Sequence, residues 1–254
     1  MTIFYFTSTG NSLAVAKQIG GTLISIPQII AQETLHYKDD VIGLIFPIYG
    51  FGTPKMVHSF LTKFKWEADY SFVIGTYGNI AGASMLNVQK LAKQYGNQFD
   101  YANSLLMVDN YLPLYDVNDQ IAKLPQKKIE ENLATILSDI QNRKKLQATS
   151  PLHWRATTGI IQFLEGAAMS PKQAQRYIVN NNCTQCGICA KVCPTKNITV
   201  TDRVIFGDNC DWCLGCLHLC PKNAIHMKSE KSSVRWRNPD VTLQELISAN
   251  NRQK

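Results

Sequence analysis

Several features that would decide the class of a protein are missing from this chain. No cysteine occurs before Cys183, so any thiolate metal site is confined to the last third of the 254 residues. The longest apolar run, 41–52, is interrupted by Pro47 and by glycines. It is shorter than the roughly 18 residues of a membrane-spanning helix. Neither G-x-G-x-x-G nor G-K-[ST] is present, which argues against a dinucleotide fingerprint and a Walker loop. The first two thirds must form a domain of another kind, without an integral membrane segment.

All eight cysteines fall into two copies of one spacing, C-x2-C-x2-C-x3-C, and each copy is followed by a proline, Pro194 or Pro221. Each cysteine of the second copy lies 27 residues after its counterpart in the first. Structural zinc usually takes C-x2-C pairs about 15–20 residues apart, without a third cysteine at the next step. A disulfide framework needs a secreted chain, and residues 1–6 lack the basic region of an export signal. We therefore expect a cytoplasmic protein with metal-bound thiolates.

This spacing resembles the cysteine run of bacterial ferredoxins, which binds [4Fe–4S] clusters. The resemblance implies two clusters, each held by three cysteines of one run and the last cysteine of the other. The first cluster would take Cys183, Cys186, Cys189 and Cys220, and the second would take Cys210, Cys213, Cys216 and Cys193.

Four other residues within the two cysteine runs invite interpretation. Gly187 and Gly215 stand between the second and third cysteine of each run, where they would either let backbone amides approach sulfur or simply form a turn. Trp212 and His218 occur in the second run only. We expect them to be packing residues, which would shield the second cluster differently from the first.

The formal charge of +7 first suggests a nucleic-acid-binding protein. Two [4Fe–4S] clusters with their thiolates would contribute roughly −2 each, and a nucleotide phosphate about two more negative charges. The loaded protein is then close to neutral. Basic residues do not cluster with aromatic residues anywhere, so we expect no nucleic-acid partner.

The first 115 residues alternate between predicted strands and helices. The predicted strands are 2–6, 22–26, 41–46, 71–76 and 101–108, and the predicted helices are 11–19, a segment starting at Pro54, and 84–95. A long helix is predicted at 121–140 from apolar residues at helical spacing. Alternating strands and helices imply βαβ units and a parallel sheet. The fold class is thus α/β, a flavodoxin-like doubly wound sheet of five strands in the order 2-1-3-4-5, followed by a small α+β ferredoxin domain.

These patterns divide the chain into four parts. We expect a flavodoxin-like domain at 1–142, a helical connector at 143–174, a ferredoxin domain at 175–230 and a tail at 231–254. The connector should contain one helix near 159–168. In the tail, Thr242 and Glu245 match a capping box ahead of a short helix, although an unstructured tail fits almost as well.

A loop of small hydroxyl residues follows the first predicted strand. It consists of Thr7, Ser8, Thr9, Gly10, Asn11 and Ser12 and opens the first predicted helix. Free amides at a helix N-terminus, together with hydroxyl groups, bind anions such as phosphate. An ordinary turn with Ser or Thr as N-cap would show the same pattern, so this loop alone does not separate the two.

The other strand ends lie at the same edge of such a sheet, where open α/β sheets bind ligands. Segments 47–53 and 76–84 follow the third and fourth strands, and both combine aromatic residues with glycines. Asp109, Asn110 and Tyr111 follow the fifth strand. Aromatic rings can flank a flat ring system, and glycines let backbone amides approach it. Together with the phosphate loop, these segments favour a flavin mononucleotide (FMN) site.

Residues 7–12 resemble the flavodoxin phosphate loop, T/S-x-T-G-N-T/S, and with the cysteine runs the chain resembles the bacterial flavodoxin–ferredoxin fusion proteins. The resemblance covers nearly the whole chain and implies FMN as cofactor, with its phosphate on residues 7–12. The residues expected around the flavin ring are Pro47, Tyr49, Gly50, Phe51, Thr76, Tyr77, Gly78, Asn79, Gly82 and Ser84.

The expected function is electron transport between FMN and two [4Fe–4S] clusters, coupling two-electron and one-electron carriers. The alternative is an FMN-dependent oxidoreductase that reduces a small organic substrate or a quinone through the clusters. No catalytic acid, base or nucleophile is evident among the five histidines or elsewhere, which favours the carrier. Asp109 would either relay a proton or cap its loop. We expect redox partner proteins, and the sequence leaves a homo-oligomer open.

Overall fold

The computed structural model of the chain describes residues 1–168 and 171–251. The strands before the cysteine runs are β1 (Thr2–Tyr5), β2 (Thr22–Ser25), β3 (Leu35–Lys38), β4 (Val41–Pro47), β5 (Phe64–Glu67), β6 (Tyr70–Tyr77) and β7 (Tyr101–Leu106). The helices of this part are α1 (Asn11–Ile19), α2 (Ile26–Ile29), α3 (Lys55–Lys63), α4 (Ser84–Gln94), α5 (Val117–Ala122), α6 (Leu124–Lys127), α7 (Ile129–Gln141) and α8 (Leu152–Ala168).

The C-terminal part is built from short elements. A 3-10 helix at Pro171–Arg176 leads into β8 (Ile178–Val179), α9 (Ile188–Lys191), β9 (Ile198–Val200), β10 (Val204–Phe206), α10 (Gly215–His218), β11 (Ile225–His226) and α11 (Leu243–Asn250). Strands β9 and β10 form an antiparallel hairpin, and β8 pairs antiparallel with β11. None of the helices in the described ranges is long and apolar enough to span a membrane.

The main sheet has five parallel strands in the order β2-β1-β4-β6-β7. This is the predicted 2-1-3-4-5 order of a flavodoxin-like sheet, in which the direction of winding reverses between β1 and β4. Tyr5 pairs with Ser25, the last residue of β2, on one side and with Ile45 of β4, which continues to Pro47, on the other. The loop after β1 therefore opens at the switch point of the sheet.

Both faces of the sheet are covered, as the almost uniformly apolar strands predicted. Along β1, Ile3 and Tyr5 belong to one core cluster, and Phe4 and Phe6 to the other, because successive side chains of a strand point to opposite faces. The first cluster also contains Val192, Leu219, Val241 and Leu246, which come from the C-terminal part. Burial of apolar surface thus joins the cysteine-rich part to the sheet.

One prediction of secondary structure was wrong, and two strands were missed. The helix predicted at 121–140 is broken into α5, α6 and α7, because Pro125 lacks an N–H and Lys128 adopts a left-handed backbone with φ of 47°. Strands β3 and β5 were not predicted; they pair in parallel as a separate two-stranded sheet. The connector helix was expected near 159–168, but it begins earlier, at Leu152, directly after Pro151.

The tail forms the helix that the capping box indicated. The Thr242 hydroxyl accepts a hydrogen bond from the amide of Glu245, and the Glu245 carboxylate accepts one from the amide of Thr242, at 3.2 and 2.7 Å. Lys17 of α1 adds an ion pair to Glu245 at 2.8 Å. The tail therefore packs back onto the sheet domain rather than remaining unstructured.

Gly43 in β4 offers a test of how tightly the core is packed. A Cβ at this position would lie 2.2 Å from the ring of Phe72 on the neighbouring strand. We expect Gly43→Ala to destabilise the fold by about 1–3 kcal/mol, because an overpacked core must shift. The measurement is the midpoint of thermal unfolding followed by circular dichroism.

The same substitution at an open site serves as the control for Gly43→Ala. A Cβ on Gly159, in the exposed part of α8, would meet no atom within 4 Å. Gly159→Ala should leave the midpoint unchanged or raise it slightly, since alanine favours a helix over glycine by about 0.5–1 kcal/mol. Equal effects of the two substitutions would contradict the packing argument.

Candidate functional site

The loop at 7–12 presents unused backbone donors. Thr7, Ser8, Thr9 and Ser12 are buried, and α1 starts at Asn11. Within the described ranges, no backbone amide of residues 7–13 donates a hydrogen bond to a protein acceptor. Amides in the first turn of a helix have no partner inside that helix. This arrangement suits an anion placed at the N-terminus of α1.

Side chains of the loop hold the neighbouring strand ends in place. The Ser12 hydroxyl lies 2.9 Å from the Thr76 hydroxyl at the end of β6. The Asn110 amide donates to the Thr9 hydroxyl oxygen at 2.6 Å, and the Asn11 amide donates to the carbonyl of Val108 at 3.2 Å. The ends of β6 and β7 are therefore tied to the loop after β1.

A cavity of about 190 Å³ opens at this edge of the sheet. Most of the residues that the sequence assigned to a flavin site form its wall. They are Thr7, Ser8, Thr9, Asn11, Ser12, Pro47, Tyr49, Gly50, Phe51, Thr76, Tyr77, Gly78 and Asn79. The strand ends after β1, β4 and β6 thus converge on one space.

Three of the expected site residues lie behind the wall instead. Gly10 has φ of 107°, and a Cβ on it would lie 3.0 Å from the Cβ of Asn238 in the tail. Gly82 has φ of 57° and packs against the ring of Phe51. Ser84 is buried at the start of α4, where its hydroxyl donates to a carbonyl of the preceding turn. These residues shape the loops and do not line the cavity.

The loop after β4 is a tight turn that presents an aromatic ring. Tyr49 and Gly52 exchange backbone hydrogen bonds of 3.1 and 2.8 Å. Gly50 and Phe51 between them have positive φ values of 51° and 61°. Such a backbone is uncommon for a bulky residue and is held here by its surroundings. Phe51 also stacks on Trp154 of α8, with ring centroids 6.2 Å apart, so the connector helix supports the cavity wall.

Asp109 is the carboxylate at the cavity, and it caps its own loop. Its Oδ1 accepts a hydrogen bond from the amide of Tyr111 at 3.0 Å. Burial raises the pKa of Asp109, and the nearby Lys127 lowers it in part. A Cβ on Gly78 would lie 2.2 Å from the Cβ of Asp109, so only glycine fits at that position. Of the two roles considered for Asp109, the capping role is the one seen.

The eight cysteines surround two separate small cavities in the grouping that the ferredoxin pattern implied. One cavity is lined by Cys183, Cys186, Cys189 and Cys220, and the other by Cys193, Cys210, Cys213 and Cys216. Among the side chains that the structure describes, no three His, Cys, Asp or Glu residues are placed to hold a single metal ion. Each quartet instead encloses a space, and soft thiolates are the ligands that iron–sulfur clusters require.

Backbone amides point at the cysteine sulfurs. Asn197, Trp212 and Ala224 donate to the Sγ atoms of Cys193, Cys210 and Cys220 at 3.3, 3.4 and 3.3 Å. Hydrogen bonds to sulfur favour the thiolate over the thiol and tune the potential of a bound cluster. The backbone around the cysteines is therefore arranged for charged sulfur.

The pKa values of the clustered cysteine thiols are raised, and a bound cation would lower them. Burial, with the neighbouring thiols adding to it, raises the pKa of Cys189 to about 11. The same two causes raise the pKa of Cys213 and Cys216 further. A polycationic iron core reverses this, because a coordinated thiol loses its proton. The donor set fits a [4Fe–4S] cluster.

Tyr177 adds a buried hydroxyl to the second cysteine cavity. The residue is 8% exposed, and its hydroxyl lies beside the Cys210 thiol, with no nitrogen or oxygen partner among the described residues. Burial, followed by the thiols of Cys210, Cys216 and Cys213, raises the pKa of Tyr177. A buried hydroxyl needs an acceptor, and sulfur in this cavity is the acceptor within reach.

The two kinds of cavity share a wall. Cys213 and Leu214 line both the cavity at the sheet edge and the second cysteine cavity, and Trp212 lines the former. The Ser8 hydroxyl, in the loop at 7–12, donates to the carbonyl of Cys213 at 2.5 Å. A Cβ on Gly215 would lie 3.0 Å from the Ser8 Oγ, so glycine permits this approach. The second cysteine run thus closes one side of the predicted flavin site.

His218 and Asp211 fasten the second run to the sheet domain. The amide of Trp236 donates to Nδ1 of His218 at 3.1 Å, so Nε2 carries the proton and donates to the carbonyl of Asn110 at 2.8 Å. Burial lowers the pKa of His218 to about 4, which keeps the ring neutral. The Asp211 carboxylate accepts hydrogen bonds from the amides of Lys55 and Met56 at the start of α3. His218 is packed, as expected, but it also joins the two domains.

Sequence reasoning missed the wall formed by residues 212–214 and the contributions of Leu114 and Tyr115. It also missed Lys127, whose ammonium group donates to the carbonyl of Gly78 behind the cavity. No local pattern marks these residues, because about 200 positions separate Cys213 from Ser8 along the chain. The presence of Trp212 and His218 in the second run but not in the first was the one sequence signal for this contact.

Comparison with known proteins places a family match in the C-terminal part. A model of the 4Fe-4S binding domain matches residues 176–199. A search of curated proteins found no match. The C-terminal part therefore contains a 4Fe-4S binding domain.

Solved structures resemble the chain at low identity. A protein of Bacteroides uniformis described as a flavoprotein is 15% identical, over 42% of this chain and 91% of its own, with a TM-score of 0.32. The Trp repressor binding protein of Bacillus subtilis is 14% identical, over 58% and 99%, with a TM-score of 0.32. The two-electron reduced flavodoxin of Megasphaera elsdenii is 18% identical, over 44% and 90%, with a TM-score of 0.29. The fold assignment rests on the strand order itself, and the chain joins this sheet to a 4Fe-4S binding domain.

Tyr177 leads to a first prediction about the site. Tyr177→Phe removes the hydroxyl that faces the second cysteine quartet, and with it a hydrogen bond that favours the more negative, reduced cluster. We expect the potential of that cluster to fall by roughly 40 mV, the equivalent of about 1 kcal/mol for one electron. Redox titration followed by electron paramagnetic resonance measures the shift.

Tyr37→Phe is the matched control for Tyr177→Phe, because Tyr37 packs on Phe4 and Phe64 in the sheet domain. It should leave both cluster potentials unchanged. An unaltered potential in Tyr177→Phe, with the cluster fully loaded, would show that the hydroxyl does not reach the cluster.

Proposed function

We propose that the chain is an electron-transfer iron–sulfur flavoprotein that relays electrons between FMN and two [4Fe–4S] clusters. FMN exchanges one or two electrons and each cluster exchanges one, so the bound groups couple two-electron and one-electron carriers. The proposed parts are an FMN-binding domain at 1–142, a connector at 143–174, a ferredoxin domain at 175–230 and a tail at 231–254. This arrangement corresponds to the bacterial flavodoxin–ferredoxin fusion proteins.

The observation that carries the proposal is the shared wall at Cys213. This cysteine belongs to the second quartet and also lines the cavity at the sheet edge. A cluster ligand that is also a wall of the flavin site would leave no protein layer between the two cofactors. Because one chain would hold both cofactors, electron transfer between them would not depend on a collision between two separate proteins.

The residues proposed to hold FMN divide by chemistry. The free amides of residues 7–13 would bind the phosphate, because they combine unused donors with the positive end of the α1 dipole. Tyr49, Phe51 and Tyr77 supply apolar ring surface at the cavity. Gly78 lets the backbone of this wall pack directly against Asp109, because any Cβ there would collide with it. These groups bind and orient the flavin, and the 212–214 wall screens one side of it from water.

The exposure of the cysteines favours an order in which electrons pass through the two clusters. Cys186 in the first quartet is exposed, whereas Cys216 in the second is buried. The cluster on Cys186 would therefore exchange electrons with a redox partner protein at the surface. The cluster on Cys216 would lie between that surface and the flavin.

The cavity wall favours a carrier over a reductase of a small organic substrate or quinone. Asp109 already accepts the amide of Tyr111, and Cys213 is assigned to a cluster. The remaining titratable groups at the described wall are tyrosines, and burial raises the pKa of Tyr49 and Tyr77 above the usual value. Groups that stay protonated at neutral pH are poor general bases.

Purification without oxygen, with iron, sulfide and flavin quantified, tests the cofactor content. We expect about eight irons and eight sulfides per chain, the content of two [4Fe–4S] clusters, and one FMN. A chain that binds flavin but only four irons would contradict the second quartet, and a chain without flavin would contradict the FMN site.

Turnover without added protein separates the carrier from the reductase. The loaded chain is mixed with a chemical reductant and a series of quinones and small organic acceptors, and product is measured. A carrier should give only slow turnover that varies little among acceptors. Rapid, saturable turnover of one acceptor class would overturn the carrier proposal in favour of the reductase.

A further inference from the structure

Lys127 is a buried lysine that the proposed function has not used. It ends α6, directly before Lys128 with its left-handed backbone, and its side chain is 6% exposed. Lysine is almost never buried in proteins unless it has partners. Burying the Lys127 ammonium group costs free energy, so its contacts must offset that cost.

The partners of Lys127 lie in the loop that forms the cavity. Its Nζ donates to the carbonyl oxygen of Gly78 at 2.6 Å and to Oε1 of the buried Gln120 at 3.2 Å. Burial lowers the pKa of Lys127, and the neighbouring Asp109 carboxylate partly offsets this. Gly78 cannot move toward Asp109, whose Cβ already occupies the space of a Gly78 side chain. The peptide after Gly78 is therefore held from two sides.

The orientation of this peptide follows from its planarity. In a trans peptide the C=O and the next N–H point in opposite directions. Gly78 and Asn79 line the cavity, while Lys127 lies outside it. The Gly78 carbonyl points at Lys127, so the Asn79 amide points the other way, toward the cavity. Within the described ranges this amide donates to no protein acceptor.

We propose that Lys127 is a positioning residue that fixes the Gly78–Asn79 peptide so that the Asn79 amide donates to an acceptor atom of the flavin ring, and that its charge favours the reduced flavin. This rests on the proposed function, because it assumes that FMN occupies the cavity. Reduction adds negative charge to the ring system, and a cation one peptide away stabilises that charge more than it stabilises the neutral ring.

Lys127→Met in the full, cluster-loaded chain tests this inference. FMN binding is measured by the quenching of flavin fluorescence, and the flavin potential by anaerobic titration against a reference dye. We expect the preference for reduced over oxidised FMN to fall roughly tenfold, the factor for losing a hydrogen bond to a charged group. A tenfold change corresponds to a two-electron potential about 30 mV more negative.

Lys123→Met is the matched control, since Lys123 lies one turn before Lys127 and is exposed. It removes the same charge, which the solvent screens, and should leave the potential unchanged. Lys127→Arg keeps the cation and a donor and should recover part of the loss. A Lys127→Met potential equal to that of the unaltered chain would overturn the inference.

Lys127→Gln settles the matter if Lys127→Met does not fold, as judged by circular dichroism. It keeps a donor for the Gly78 carbonyl but removes the charge, so a potential shifted to more negative values supports the inference and an unchanged potential overturns it. Failure of the proposed function gives a different result, because the unaltered chain would then bind no FMN at all.

Discussion

The contact between the loop at 7–12 and the second cysteine run is the constraint on which the rest of the structure depends. Ser8 donates to the carbonyl of Cys213, and Gly215 packs on Ser8 where any side chain would interfere. His218 and Asp211 fix the same run to the loop after β7 and to the start of α3. These bonds place one cysteine quartet at the mouth of the cavity. A buried polar contact of this kind fixes the relative position of the two parts more strictly than apolar packing does.

The tail completes this arrangement from the other side. Asn238 and Trp236 both donate to the side-chain oxygen of Asn11, and the amide of Asn238 donates to the carbonyl of Thr9. Asn250 at the end of α11 reaches the carbonyl of Thr7. The carbonyls of the loop are thus engaged by the C-terminal part, while its amides stay free toward the cavity. The segment after the cysteines therefore supports the loop at 7–12 as well as the iron–sulfur part.

Much of the sheet domain was predictable, because buried parallel strands are continuous apolar runs and the first helix ends at Gly20. The order of the five strands and the capping box at Thr242 were confirmed. The helix at 121–140 was wrong, since apolar periodicity carried the prediction across Pro125 and missed the left-handed backbone at Lys128. Strands β3 and β5 are short and pair only with each other, so their sequences carry little signal. Gly10, Gly82 and Ser84 were placed in the site by their loops but support it from behind.

The sequence alone determined the chemistry of the donors, because spacing along the chain fixes how three neighbouring thiols can gather and how a loop of small residues opens a helix. The alternation of strands with helices also indicated a parallel sheet, and five such strands suited the flavodoxin-like order that the structure confirmed. Only the tertiary structure decided that Cys213 closes the cavity of the sheet domain and that Lys127 reaches Gly78 from behind. These contacts join segments far apart in the chain, and they depend on how two separately patterned domains pack together, which no local pattern records.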